Sequence, residues 1–219
     1  MQLTPYYCSS YPGFKLPKVL WSFRRIEKAV RGEQRAYLSN SPFRGHSTVL
    51  MKKAPPFFLT AVGAARVVGG PPGPASPLLL IFHDNSGAET AYNINVALRK
   101  QYPLIHQLQI VSVICLRQIP QFMRPTVDQA MLAAYHKTAE SMQDERDPSE
   151  YVIIVPDWEA KVASSFGMGD CHDQIGLALI TPPWQISDVY QGPDPIDAAL
   201  RMLNAASNPG TDGEVKPSA

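Results

Sequence analysis

Residues 77–100 read PLLLIFHDNSGAETAYNINVALRK, and the change of character inside this stretch decides the fold. The run LLLIF, 78–82, is apolar at every position, as a strand covered on both faces of a sheet must be. From about Ala88 to Gln101 the pattern becomes that of a helix. Between the two lies a polar turn in which Asp84, Asn85 and Ser86 can each accept from the first backbone N–H groups of that helix. A buried strand that feeds directly into a helix begins a layer of parallel strands joined by crossovers.

The same alternation continues downstream. QIVSVICL, 109–116, reads as a second buried strand, and PTVDQAMLAAYHKTAESM, 125–142, as an amphipathic helix. Val127, Met131, Ala134/Tyr135, Thr138 and Met142 form its stripe, and Thr126 and Gln129 have capping-box spacing. The acidic run DERDPSE ends it. YVIIV, 151–155, reads as a third buried strand, after which Asp157 can cap a short helix running to Phe166. IGLALIT and QISDVYQG alternate around a Pro-Pro-Trp turn as a strand pair. A last helix, DPIDAALRMLNAAS, has Asp194 as its cap, Pro195 in its first position, and Ile196, Leu200 and Leu203 facing inward.

Upstream, PFFLTAVGAARVV, 56–68, reads as a hairpin, and GGPPGPASP, 69–77, as a surface loop. The order is therefore a hairpin, then β-α-β-α-β-α, then β-β-α. That order predicts an α/β sandwich with a mixed central sheet flanked by helices.

The chain has 219 residues, 45% of them apolar, enough for one domain and an extension. Its net charge of +1 hides an asymmetry. Residues 1–53 hold ten Lys/Arg against two Asp/Glu, whereas 54–219 hold ten against seventeen. A basic arm on an acidic body can dock on that body, grip an anionic surface, or pair with a second copy. The arm, 1–51, contains PKVLWSFRRIEKAVR, 17–31, which has the period of an amphipathic helix with Arg24, Arg25, Lys28 and Arg31 on its polar face. Packing on a domain is favoured over peripheral membrane contact through 17–31, and nucleic acid is not expected as a partner. Residues 207–219 read as a flexible polar tail.

Cysteine use is sparse: Cys8, Cys115 and Cys171, without a CxxC pair or metal-ligand spacing. No cofactor and no metal are expected. A cytoplasmic location fits this usage. The alternative is export if translation starts at Met51, where MKKAPPFFLTAVGAA has a basic start and an apolar stretch.

Four stretches together resemble the thioredoxin-like superfamily, in particular its peroxiredoxin-like branch, over roughly residues 52–206. They are KAPPFFLTAVGAARV, PLLLIFHDNSGAETAYNINVALRK, YVIIVPDWEAKVASSFGM and IGLALITPPWQISDVYQG. The resemblance implies a thiol at the amino terminus of the helix after the first central strand, where free N–H groups and the helix dipole favour a thiolate. Aligned on Phe82, the implied cysteines fall near Gly87 and Thr90, and neither position holds a thiol. Peroxiredoxin's Pro-x-x-x-Thr-x-x-Cys pattern is absent, as is the proline that thioredoxins place before the penultimate strand. Ordinary thiol peroxidase or disulfide-exchange chemistry is therefore not expected at this loop.

The resembled fold also brings the loop holding DCHD, 170–173, beside the polar turn. The candidate site residues are accordingly Cys171, His172, His83 and Asp84, with Asp173 nearby. A cysteine beside a histidine can be activated by thiolate–imidazolium pairing, or the two can share a metal with a carboxylate. The plain alternative is that His83 and Asp84 cap the turn and Cys171 has no role. Cys115 reads as a small core residue and Cys8 as a bystander. Tyr135, His136 and Trp184 read equally well as a surface contact or as packing. The leading expectation is a non-catalytic binding module for an unknown protein partner or for self-association. The alternatives are an oxidoreductase that uses Cys171, and an adaptor that binds anionic surfaces through 17–31.

Overall fold

The computed structural model describes residues 52–63, 66–69, 75–140, 142, 147–172 and 174–207. The basic extension, its expected helix at 17–31, Cys8, Asp173 and the tail beyond Ser207 lie outside the described residues.

The elements are β1 (Lys52–Lys53), β2 (Leu59–Thr60), β3 (Val67–Val68), β4 (Leu78–His83), α1 (Ala88–Gln101), β5 (Gln109–Cys115), α2 (Arg124–Glu140), α3 (Pro148–Tyr151), β6 (Ile154–Asp157), α4 (Lys161–Ser165), β7 (Ile175–Thr181), β8 (Gln185–Gly192) and α5 (Pro195–Ser207). Strands β2 and β3 form their own antiparallel pair, with Leu59 opposite Val68. The others form one mixed sheet in the order β1-β8-β7-β4-β5-β6. Strand β4 lies at its centre. Leu80 stands opposite Val111 of the parallel neighbour β5 and Ala178 of the antiparallel neighbour β7.

All six residues of β4 are buried, which is why its sequence shows no alternation. Leu78, Leu80 and Phe82 enter one core with Phe57, Val113, Phe166 and Trp184. Leu79 and Ile81 enter the other, against Ala91, Ile94 and Leu98 of α1 and Ala198, Ala199, Met202 and Leu203 of α5. Each fully buried leucine contributes about 2 kcal/mol of transfer free energy, so this strand anchors both layers. In the first core, Phe57 packs with its ring centroid 5.7 Å from both Phe166 and Trp184. Helix α2 reaches the loop after β2, where the Tyr135 ring lies against Gly63.

Three boundaries differ from the sequence reading, each for a local reason. The third central strand runs Ile154–Asp157 rather than 151–155. Asp147 accepts from the Ser149 N–H at 2.9 Å and Pro148 takes the first helical position, so the chain makes a helical turn before it extends. The helix expected to start after Asp157 is α4 and begins only at Lys161, because Ala160 takes a left-handed conformation (φ 51°). Asp157 still caps it, with its two oxygens accepting from Lys161 N at 3.0 Å and Ala163 N at 2.9 Å. Finally, β1 was not foreseen. Its two lysines have no apolar signal, yet they pair with Ile186 and Gln185 at the sheet edge. Among the described residues no helix is long and apolar enough to cross a membrane.

Candidate functional site

Strand β4 ends by delivering His83 into the protein and Asp84 to its rim. His83 is 2% exposed. Its Nδ1 lies 2.7 Å from the Asp84 carbonyl oxygen and its Nε2 lies 2.5 Å from Ser112 Oγ on β5. A carbonyl only accepts, so the proton is on Nδ1, and Nε2 accepts from the serine hydroxyl. Burial pushes the His83 pKa below its ordinary value, and the hydrogen bond to the Asp84 carbonyl and the nearby Asp84 carboxylate offset this only in part. The ring is a neutral, oriented bridge between two strands.

Asp84 organises the turn. Its Oδ1 accepts from Ser86 N at 2.8 Å, Gly87 N at 3.1 Å and Ser86 Oγ at 2.6 Å. Its Oδ2 lies 2.5 Å from His172 Nδ1 in the loop between α4 and β7. Ser86 Oγ also lies 2.7 Å from the His172 carbonyl, and its single hydroxyl proton serves one of these two acceptors at a time. The carboxylate thus holds together the turn that leads into α1. At Gly87, directly before α1, a side chain would have to push aside the end of Ile175. A Cβ there would lie 2.7 Å from Ile175 Cδ1 and 3.0 Å from His83 Cβ.

The structure gives Cys171 a partner that the sequence reading did not. Its Sγ lies 3.1 Å from Cys115 Sγ, while the neighbouring His172 ring turns to Asp84. Cys171 is buried and Cys115 half-buried, and both are free thiols. The Cys115 thiol is held far above the ordinary thiol range. Its hydrogen bond with Cys171 is the main cause, followed by burial and by electrostatic interaction with Cys171, Asp157 and Asp84 nearby. Two more bonds fix the loop: Gly169 N donates to Gln191 Oε1 at 2.9 Å, and Gln191 Nε2 donates to the Asp170 carbonyl at 3.1 Å.

The four candidate residues thus fall into two adjoining groups. Asp84 meets His172, with His83 behind them on Ser112, and Cys171 meets Cys115. Sequence reasoning missed Ser112 and the pairing role of Cys115. The signals were present: one serine in an otherwise apolar strand, and a cysteine ending the strand next to β4. Tyr135 and Trp184 are buried, so both are packing residues, whereas His136 is exposed. Among the described residues no group of three His, Cys, Asp or Glu side chains is arranged to hold a metal ion.

In the sheet, β4, β5 and β6 run parallel, β7 and β8 join antiparallel beside β4, and α1 and α5 cover one face. The fold is thioredoxin-like. No family model matches the chain, and no curated protein sequence does. Solved structures of similar shape include DsbF of MTB in its mixed oxidised and reduced forms (18% identity over 68% of this chain and 93% of that one, TM-score 0.46). A thiol-disulfide oxidoreductase from Bacteroides fragilis (16%, 69% and 99%, TM-score 0.47) is another. A third is the exposed lipoprotein thioredoxin of Streptococcus pneumoniae strain TIGR4 (13%, 68% and 98%, TM-score 0.49). At such identities these likenesses concern shape and say nothing of chemistry.

Proposed function

We propose that this chain is a non-catalytic, peroxiredoxin-like member of the thioredoxin-like folds, acting in the cytoplasm as a binding module for a protein partner or a second copy of itself. One observation carries the reading: in the turn before α1, where such a fold would present a reactive thiol, the Asp84 carboxylate accepts from the Ser86 and Gly87 N–H groups. A side chain at Gly87 would also have to displace the end of Ile175. The Cys115 thiol keeps its proton at neutral pH, so it is a poor nucleophile. The peroxiredoxin-like assignment rests on the opening Ala54-Pro55-x-Phe57-x-Leu59, whose Ala54 and Phe57 lie in the first core.

Peroxide consumption and insulin reduction, each with dithiothreitol as reductant, test the reading. Rates equal to the protein-free rate are expected. Turnover that disappears in Cys171→Ser overturns it in favour of a thiol-dependent oxidoreductase. Self-association is tested by sedimentation of the full chain. The opposite charges of 1–53 and 54–219 should make it weaken with salt and with the R24E/K28E double variant. Salt-independent association would exclude the basic arm as its cause.

A further inference from the structure

Cys115 closes β5, and Cys171 lies in the loop between α4 and β7, 56 residues later. Their sulfurs lie 3.1 Å apart. That is about 1 Å more than the ~2.05 Å of a covalent sulfur–sulfur bond, a gap that small side-chain rotations close. The loop has the backbone latitude for such an adjustment, since Gly167 (φ +74°) has no atom within 4 Å of where a Cβ would sit, and Gly169 meets only the Gln191 side chain. Access is one-sided: Cys115 is partly exposed, and Cys171 is buried behind it.

We propose that Cys115 and Cys171 are an internal dithiol that closes to a disulfide, fastening the DCHD loop to the end of β5. The oxidant is a low-mass disulfide. The Cys115 thiol gives up its proton, and its sulfur attacks one sulfur of that disulfide. The small disulfide bond breaks, one small thiolate leaves and takes up the proton, and a mixed disulfide remains on Cys115. Cys171 then loses its proton and attacks the Cys115 sulfur, releasing the second small thiol. Two protein thiols have been oxidised by two electrons, and one small disulfide has been reduced to two thiols. The high pKa of Cys115 makes the first step slow at neutral pH and faster in alkali. Proximity makes the second step fast. Because His172 follows Cys171 and holds Asp84, the bond also fixes the polar turn at the start of α1. This proposal goes beyond the binding reading and holds whether or not the chain turns over a substrate.

The test uses the full chain with Cys8→Ser, equilibrated in glutathione buffers from reducing to oxidising, quenched in acid and alkylated. Both cysteines should become protected together in one two-electron transition. No disulfide-linked dimer should form, and trypsin should yield residues 101–117 joined to 162–201. At equilibrium the ratio of the joined species to glutathione adducts should be roughly tenfold or more higher in the folded chain than in denaturant. Two alkylatable cysteines at the most oxidising ratio would overturn the proposal. So would a stable glutathione adduct on one cysteine alone, cross-linked dimers, or a folded ratio of joined species to adduct no greater than the denatured one.

Discussion

His83 is buried and neutral, with its two nitrogens committed to the Asp84 carbonyl and Ser112. Its folded pKa lies below the ordinary histidine value of about 6.5. Below that pH the unfolded chain takes up a proton that the folded chain refuses. The stability contributed by neutral His83 is therefore complete above pH ~6.5 and is lost as the pH falls toward the lower folded pKa, by up to about 1.4 kcal/mol per pH unit. Urea midpoints measured between pH 8 and 5 should fall more steeply for the wild type than for His83→Gln, and parallel curves would refute the assignment. Asp84 allows a graded test. Asp84→Asn keeps an oxygen for the Ser86 and Gly87 N–H groups but loses the charge on His172, whereas Asp84→Ala loses both. The alanine variant should cost about 2 kcal/mol and the asparagine variant about half of that in the same measurement, and equal costs would remove the capping role. The polar turn was legible in the sequence as Asp-Asn-Ser before a helix, but Asp84 accepts from Ser86 and Gly87, ahead of α1, and the cap position itself is Gly87, which has no side chain to accept. The Ser112 and Cys115 contacts were not, because they depend on which strand lies beside β4 and in what register.

The elements themselves were largely legible. β4 and β5 follow from apolar runs that a sheet buried on both faces requires, β7 and β8 from two segments alternating around a Pro-Pro-Trp turn, α1 from its period, and α5 from its cap and period. The third strand was misplaced because a helical turn started by Asp147-Pro148 takes up its first apolar residue, Tyr151. A hydrophobic run alone does not mark where a helical turn gives way to the strand. Gly63 shows a constraint that no local pattern reports. It has φ +74°, and a Cβ there would lie 2.2 Å from Tyr135 Cδ1 of α2. Gly63→Ala should therefore destabilise by about 2–3 kcal/mol, from both backbone strain and overpacking. Tyr135→Ala relieves the clash but not the strain. Thermal or urea unfolding of the double variant should show a cost below the sum of the singles by about 1 kcal/mol or more. Strict additivity would mean that the ring and the loop do not touch.

At the scale of the molecule, sequence order was enough to predict the sheet, but function depends on what is brought together across it. Here the fold brings a carboxylate to the turn before α1 and two thiols to the adjoining loop. The first arrangement ties that turn together without a thiol, and the second gives the loop a covalent lock. A cross-link between residues 56 apart removes much of the freedom of the unfolded chain. Chain entropy sets its stabilisation at about 4 kcal/mol at 25 °C. For a domain of this size each kcal/mol moves the unfolding midpoint by roughly 2–4 °C, so oxidation should raise Tm by on the order of 10 °C. Scanning calorimetry of the oxidised and reduced chain, with Cys8→Ser in both, measures the difference directly. A rise that vanishes in Cys115→Ser assigns it to this pair. An oxidised chain that melts at or below the reduced one would mean that closing the bond distorts the DCHD loop, and the loop would then be strained rather than locked by oxidation.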